Sequence, residues 1–247
     1  MSKNPITREK YDAVLFDLDG VITATAKLHA ACWKKMFDEY LEKRANQKGV
    51  PFTPFEIATD YKLYVDGKPR FDGVRDFLKS RDINLPEGTH DDSPETETVG
   101  GLGNRKNELI NELINSVGVD AYEGTIALAR QVANEGIKIA VVTSSQNCDA
   151  VLKAAKIDDL FKVRVDGNTI QEQHLSGKPA PDSYLEGARR LGVDPKRTVV
   201  IEDAISGVQS GRNGNFGLVI GVDRKGNADE LKENGADIVV KDLGEFL

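Results

Sequence analysis

Short apolar runs recur along the chain, and polar residues or glycine close each of them. Most of the runs are rich in Val and Ile and do not alternate strictly between apolar and polar positions. That pattern is typical of strands buried on both faces of a sheet. We therefore predict six strands, at residues 13–16, 138–142, 162–165, 198–201, 217–220 and 237–240.

Helical patterns lie between most of these runs, at residues 125–134, 148–155, 181–191, 205–212 and 228–233. The alternation of strand and helix indicates an α/β fold in which helices cover both faces of a parallel sheet. We expect a doubly wound, Rossmann-like sheet.

Residues 27–120 interrupt this alternation. They contain helix-like patterns at 29–43 and 104–116 and no convincing strand. Residues 85–103 are rich in Pro, Gly, Thr, Asp and Glu, and we expect them to form an exposed loop. We interpret residues 27–120 as a helical domain inserted into an α/β domain that comprises residues 1–26 and 121–247.

The composition is that of a soluble globular protein, with 39% hydrophobic and 30% charged residues among 247. A net charge of -7 provides no general attraction to nucleic acid or to an anionic membrane. Residues 1–11 are polar and do not predict a signal peptide. Cys32 and Cys148 match no metal-binding spacing, and we expect reduced thiols in a cytoplasmic, monomeric protein.

An acid pair, Asp17 and Asp19, follows the first predicted strand. The two-residue period of a strand places both carboxylates on one face. They repel each other unless a cation lies between them or one is protonated, and Mg²⁺ fits such oxygen ligands. Gly20 permits a tight turn just beyond the pair. Two solvated acids at a strand end are the alternative.

Three further motifs follow later strands. A run of hydroxyl side chains begins at Thr143, directly after the second strand. These hydroxyls can hold a phosphate or cap the next helix. Lys178 lies between glycine and a proline that stiffens the backbone, so it can be a fixed point charge for a phosphoryl oxygen; an ordinary surface lysine is the alternative. Glu202 and Asp203 close the fourth strand, where they can complete a metal site or be solvated.

The four motifs are more informative together than singly. In a doubly wound sheet, ligands bind beyond the carboxyl ends of the strands, and each motif is predicted to lie near that edge. An acid pair, hydroxyls, a lysine and a second acid pair provide a nucleophile, metal ligands and cationic groups. The combination favours phosphoryl transfer.

The motifs resemble those of the haloacid dehalogenase (HAD) superfamily of phosphohydrolases and phosphomutases, and within it the β-phosphoglucomutase branch and its phosphatase relatives. The resemblance runs from about residue 11 to the C-terminus, with the insert matched only in patches. Its most specific segments are residues 14–23 (VLFDLDGVIT), 177–182 (GKPAPD) and 201–207 (IEDAISG). It implies a HAD α/β core with an inserted helical cap that closes over the site.

The resemblance also implies catalytic roles. Asp17 matches the nucleophile that becomes an aspartyl phosphate, and Asp19 matches the general acid/base. Thr143 and the amide of Ser144 match groups that hold the phosphoryl group, while Lys178 matches the lysine that offsets its charge. The implied cofactor is Mg²⁺, and its ligands are Asp17, Asp19 through its backbone carbonyl, Glu202 and Asp203.

Further positions match residues that contact the substrate. They are Thr25, His29, Trp33, Gly67, Arg70, Lys106, Ser144, Ser145, Gln146 and Asn147. Arg70 matches the arginine for the second, non-reacting phosphate. For Trp33, packing within the insert is the alternative.

Three positions depart from the family. Ala24 replaces a common aspartate, and we expect no loss of chemistry there. Asp66 stands where the sugar mutases carry a lysine, which weakens the case for β-glucose phosphate; Lys68 could supply the missing charge. The acidic loop, residues 87–97, is added length that could adjust closure, bind a partner or simply be mobile.

Three functions are compatible with these residues. The first is a mutase that converts β-D-glucose 1-phosphate to glucose 6-phosphate, with a hexose bisphosphate as activator. The second is a sugar-phosphate phosphatase with the same core residues. The third, a phosphorylated receiver, is disfavoured because its phosphorylated Asp would follow a later strand.

Overall fold

The computed structural model describes residues 4–247, so the expectation for residues 1–3 lies outside the described part of the chain. The chain divides into two compact units. The first, the α/β unit, comprises the described residues up to Thr25 together with Val119–Leu247. The second, the insert, is Ala26–Gly118. Their assignment as a catalytic core and a cap stays a prediction.

A six-stranded parallel sheet forms the centre of the α/β unit, in the order β3-β2-β1-β4-β5-β6. Its strands are β1 (Ala13–Phe16), β2 (Lys138–Val142), β3 (Val163–Val165), β4 (Thr198–Glu202), β5 (Leu218–Val222) and β6 (Ile238–Val240). Each coincides with a predicted strand to within a few residues. The doubly wound, Rossmann-like fold is confirmed.

Helices connect the strands of this unit. They are α4 (Glu123–Asn134), α5 (Cys148–Ala154), α6 (Gly167–Glu172), α7 (Asp182–Leu191), α8 (Ile205–Asn213) and α9 (Ala228–Glu233). All residues of β1, β4 and β5 are buried, which explains why these strands are apolar on both faces. Tyr184 and Ala188 of α7 belong to an apolar cluster with Leu15 and Val142 of the central strands. Short 3₁₀ helices span Pro195–Arg197 and Leu243–Phe246.

The register of the sheet determines where the sequence motifs lie. Phe16 is paired with Val141 of β2 and with Ile201 of β4. Asp17 and Glu202 therefore reach the carboxyl edge at the same level, and Thr143 leaves the neighbouring strand at that edge.

The insert is helical. It contains α1 (Ala26–Lys48), a π-helical segment (Ile57–Val65), α2 (Arg70–Ser80) and α3 (Val99–Val117). Aromatic rings form its core: Phe37 lies 4.1 Å from Phe77 and 5.3 Å from Phe55 between ring centroids. Trp33 stacks on Phe37. No strand is assigned among the described residues of the insert, as the sequence predicts.

The predicted loop at residues 85–103 is too long. Helix α3 already begins at Val99, and the side-chain oxygen of Thr98 caps it by accepting from the amide of Gly101. Gly101 and Gly103 have poor helix propensity, which explains the error. Tertiary packing outweighs that propensity. The loop backbone lies so close to the helix that a side chain at Gly101 would overlap the carbonyl of Thr96.

Within residues 4–247, no helix has both the length and the apolar character needed to cross a membrane.

Candidate active site

Lys178 lies at the centre of a buried charged cluster at the carboxyl edge of the sheet. Its ammonium nitrogen is 2.6 Å from Oδ1 of Asp17 and 2.6 Å from Oε1 of Glu202. Lys178 is only 3% exposed, and both acids are buried. The three groups are far apart in the sequence. The parallel register of β1 and β4 brings the two acids together at the ends of neighbouring strands.

Glu202 is fixed by four hydrogen bonds. Its Oε2 accepts from the backbone amides of Asp203 and Ala204, and its Oε1 accepts from Lys178 and from the hydroxyl of Tyr184 at 3.1 Å. A carboxylate has about four acceptor positions. In this arrangement Glu202 holds the ammonium group of Lys178 in place against Asp17.

Asp203 completes the cluster. Its Oδ2 lies 3.1 Å from the ammonium of Lys225, a residue with 28% of its side chain exposed. Gly20 lies against the same carboxylate with a φ of +95°, and a side chain there would overlap it. Gly20 therefore provides both the turn after the first acid pair and the space for Asp203.

The cluster has more negative than positive charge. Burial raises the pKa of Asp17 well above its ordinary value, and the charge of Glu202 raises it further. Burial alone lowers the pKa of the Lys178 ammonium, but the charges of Asp17 and Glu202 outweigh this and raise it above its usual value. One buried lysine therefore does not balance the carboxylates that surround it.

These residues fit a hard divalent cation. Asp17, Glu202 and Asp203 are all buried, and one oxygen from each lies within 4.8 Å of the others. The donors are all carboxylate oxygens, which Mg²⁺ and Ca²⁺ prefer, and no thiol or imidazole is part of the group. A divalent cation would supply the positive charge that the cluster lacks.

Asp19 lies just beyond the buried cluster and is held by a threonine pair. The hydroxyl of Thr25 donates to Oδ1 of Asp19 and lies 2.8 Å from that of Thr23. Thr23 in turn donates to the carbonyl of Leu18. Thr25, a predicted substrate contact, is thus a direct partner of Asp19.

The hydroxyl motif after β2 forms a compact turn. Oγ1 of Thr143 accepts from the amide of Ser145, and Oγ of Ser145 accepts from the amide of Asn147. Thr143 is buried. Gln146 bonds to Gln171 of α6, and Ser144 lies partly exposed within the turn. These hydroxyls bond within the turn, and Asn147, the N-cap residue of α5, makes no side-chain capping bond, so capping of that helix by these hydroxyls is not observed. The phosphate role stays a proposal.

Three of the predicted insert residues form one cluster. The ammonium of Lys106 lies 2.8 Å from Nδ1 of His29 and 5.1 Å from the ring centroid of Trp33. Both Lys106 and His29 are buried. Trp33 is 3% exposed and lies against Gly73 and Phe37, so it packs within the insert.

The two cations of the segment 66–70 have different partners. Lys68 is paired with Asp76 at 2.5 Å, so its charge is engaged within the insert. Whether it supplies the charge of the lysine expected at Asp66 stays a prediction. Gly67 has a φ of +72°, a conformation that favours glycine. Arg70 begins α2, and Nη2 donates to Asn104 at 3.1 Å.

Two residues of the α/β cluster were missed from the sequence. Tyr184 lies on α7, where its spacing from Lys178 would have indicated only a core aromatic residue. Lys225 follows β5 in a segment with no recognised motif. Neither has a local sequence signal, because each meets the cluster through contacts across the sheet.

Comparisons with known proteins agree with this geometry. The family model for "haloacid dehalogenase-like hydrolase" matches residues 11–215. The chain is 50% identical to β-phosphoglucomutase of Mycobacterium tuberculosis, over 97% of this chain and 92% of that one. It is 32% identical to β-phosphoglucomutase of Bacillus subtilis, over 95% and 91% of the two chains.

A solved structure also matches. The crystal structure of β-phosphoglucomutase from Clostridium difficile superposes with a TM-score of 0.74 at 26% identity, covering 96% of this chain and 93% of that one. Together with the buried acid and lysine cluster at the carboxyl edge of the sheet, these matches show that the chain belongs to the haloacid dehalogenase-like hydrolases.

Proposed function

We propose that the protein is a Mg²⁺-dependent β-phosphoglucomutase, which converts β-D-glucose 1-phosphate to glucose 6-phosphate through a phosphorylated Asp17. The observation that carries the proposal is the buried contact of Lys178 with Asp17, beside Asp203. The similarity to the mycobacterial mutase over nearly the full chain supports the choice of substrate.

Asp17 is the nucleophile in this proposal. Its carboxylate attacks the phosphorus of a hexose 1,6-bisphosphate, and the bond from phosphorus to the sugar oxygen breaks. Lys178 limits the repulsion between the carboxylate and the phosphate, since its ammonium is already fixed 2.6 Å from Oδ1. Preorganised charge of this kind requires no rearrangement at the moment of transfer.

Asp19 moves the proton. It donates to the leaving sugar oxygen and later removes the proton from the 6-hydroxyl of β-glucose 1-phosphate as that oxygen attacks phosphorylated Asp17. The second transfer restores Asp17 and yields the bisphosphate again. Thr25 holds Oδ1 of Asp19, so that oxygen of the carboxyl has a fixed direction.

Mg²⁺ fits this site, and Asp17, Asp203 and the backbone carbonyl of Asp19 would hold it, with Glu202 beside them. The bound cation would supply charge that stabilises the transferring phosphoryl group. Glu202 already accepts four hydrogen bonds, so its main role in the proposal is to hold Lys178.

A phosphatase is the second candidate. The matching family is one of hydrolases, and Asp66 replaces the lysine of the sugar mutases. The same Asp17 chemistry then ends with water as the acceptor.

One assay separates the two functions. The protein is supplied with β-glucose 1-phosphate, Mg²⁺ and a trace of glucose 1,6-bisphosphate, and glucose 6-phosphate and free phosphate are measured in parallel. A mutase yields glucose 6-phosphate with little free phosphate. Free phosphate released in proportion to substrate, without isomer, would refute the mutase. Asp17→Asn should remove both products, while the exposed Asp159→Asn should leave them unchanged.

A further inference from the structure

Arg70 differs from the other paired arginines of the insert. Arg75 bonds to Glu87 and Asp72, and Arg81 bonds to Asp60. Within residues 4–247, no carboxylate lies within ion-pairing distance of Arg70. Its only hydrogen-bond partner among the described residues is a neutral side-chain amide.

The guanidinium of Arg70 is partly buried and incompletely satisfied. Its Nε is buried and has no hydrogen-bond partner among the described residues. Burial lowers the pKa of Arg70 to about 10, so the group still carries its charge at neutral pH. A buried, charged donor without a partner is costly unless a ligand satisfies it. An arginine with an open edge can form paired hydrogen bonds to phosphate oxygens.

Asn104 holds this guanidinium without neutralising it. Its Oδ1 accepts from Nη2 of Arg70, and its amide nitrogen donates to the carbonyls of His90 and Asp92, each at 2.8 Å. All three hydrogen bonds require the same placement of the amide oxygen and nitrogen. Because both N–H groups are used by backbone carbonyls, the oxygen must face Arg70.

The two carbonyls belong to the acidic loop, which is held at several points. Arg75 bonds to Glu87, and the hydroxyl of Thr98 donates to Asp92 at 2.5 Å. The ring of His90 stacks on that of Phe71 at 4.4 Å between centroids, with only 3° between the ring planes. The loop is therefore a bonded part of the insert, and its added length supports Asn104.

Phe71 provides a second link between the loop and Arg70. The guanidinium carbon of Arg70 lies 4.7 Å from the centroid of Phe71, whose ring also packs on His90. A planar cation beside an aromatic ring has a restricted direction and keeps its charge. Arg70 is thus held by an amide and a ring, both anchored to the same loop.

We propose that Asn104 is a positioning residue, which acts through Arg70 to set the affinity for the non-reacting phosphate of a two-phosphate sugar substrate. The acidic loop fixes Asn104 through the carbonyls of His90 and Asp92. This proposal rests on the proposed function, because it assigns Arg70 to the second phosphate of that substrate.

The test compares ligands with one and with two phosphates. Hydrolysis of p-nitrophenyl phosphate is the reporter, and glucose 1,6-bisphosphate is the inhibitor. Asn104→Ala should raise the inhibition constant of the bisphosphate about tenfold and leave kcat/KM for p-nitrophenyl phosphate within about twofold. Asn115→Ala, an exposed asparagine on the same helix, is the matched control and should change neither value.

A double-mutant cycle distinguishes positioning from direct contact. If Asn104 acts through Arg70, Arg70→Ala and the double variant should have the same inhibition constant. If the increases of the inhibition constant in the two single variants multiply in the double variant, the proposal is overturned. An Asn104→Ala protein that the bisphosphate inhibits like the wild type would also overturn it. A bisphosphate that fails to inhibit the wild type would overturn it as well. Circular dichroism and the melting temperature verify that each variant folds.

Failure of the proposed function gives a different result. A wild type that hydrolyses p-nitrophenyl phosphate but makes no glucose 6-phosphate refutes the mutase. The inhibition constants of the bisphosphate for the wild type, the two single variants and the double variant then still support or overturn the role of Asn104. Asn104→Asp adds a further readout, since a carboxylate would neutralise Arg70 and raise the inhibition constant above that of Asn104→Ala.

Discussion

The ammonium of Lys178 lies 2.6 Å from Oδ1 of Asp17, although 161 positions separate the two residues in the chain. The pair is buried, with 0% of the lysine side chain and 8% of the aspartate side chain exposed. A buried carboxylate beside a fixed cation is suited to attack an anionic phosphate, because the repulsion between the two anions is partly offset before they meet. The proposed chemistry depends on this contact.

Lys178→Met tests that contact. The substitution leaves Asp17 and Glu202 buried without their shared cation, so it should abolish phosphoryl transfer and reduce the free energy of unfolding by about 3–5 kcal/mol. Urea unfolding at pH 7 measures the loss. Adding Mg²⁺ should restore part of the stability and none of the activity, since a bound cation stabilises the folded state. The exposed Lys153→Met is the control, and a Lys178→Met protein as stable as the wild type would contradict the cluster.

Gly20→Ala should damage both stability and activity. The residue has a φ of +95°, and the new side chain would overlap the carboxylate of Asp203. A displaced ligand should reduce kcat about hundredfold. Gly136→Ala is a matched control, because Gly136 has a φ of +79° and no atom within 4 Å of the new side chain. The control should lose about 1 kcal/mol from backbone strain and keep its activity. Equal activities in the two variants would show that Gly20 serves the turn alone.

Lys225→Ala should strengthen metal binding. The ammonium of Lys225 lies 3.1 Å from Oδ2 of Asp203, where it competes with a cation for that oxygen. We expect Mn²⁺ to bind about threefold more tightly to the variant, measured by calorimetry or electron paramagnetic resonance at low salt. The gain should shrink as the salt concentration rises. Exposed Lys232→Ala provides the control, and weaker binding to Lys225→Ala would mean that the lysine supports the metal site.

We expect Glu186 to make the free energy of unfolding depend on pH under acidic conditions. Hydrogen bonds from Arg189, and then from Arg190, lower the pKa of Glu186 from 4.5 to about 2. Because the folded-state pKa lies below the unfolded value, the contribution is complete above about pH 4.5 and is lost as the pH falls towards 2. Urea unfolding of Glu186→Gln should therefore show a deficit relative to the wild type at pH 7 that shrinks by pH 3. A deficit that is constant with pH would contradict this account, and exposed Glu172→Gln should show none.

The strands were predictable because their signal is local. A strand covered on both faces needs consecutive apolar residues, so runs such as 13–16 identify both the element and its burial. The place of the acids, hydroxyls and lysine near one edge followed from the parallel order of those strands. The helices of the α/β unit were also found to within a few residues, apart from the short α6.

The insert was harder to predict. Helix α2 and the π-helical segment were not found, and α3 was started five residues too late, at 104 instead of Val99. Glycines and a proline obscure the local pattern there. What stabilises Val99–Gly103 as helix is the close approach of Phe71 and of the loop backbone to the glycines.

The sequence by itself determined the class of fold, the order of its elements and the residue types that gather beyond the strands, because apolar periodicity and motif spacing are properties of neighbours along the chain. Only the tertiary structure decided that Lys68 is neutralised by Asp76 while Arg70 is held by the uncharged Asn104. Such choices depend on which groups meet after the chain has packed. The charge left available at a site is therefore a property of the folded molecule. The sequence alone did not distinguish Lys68 from Arg70 in this respect.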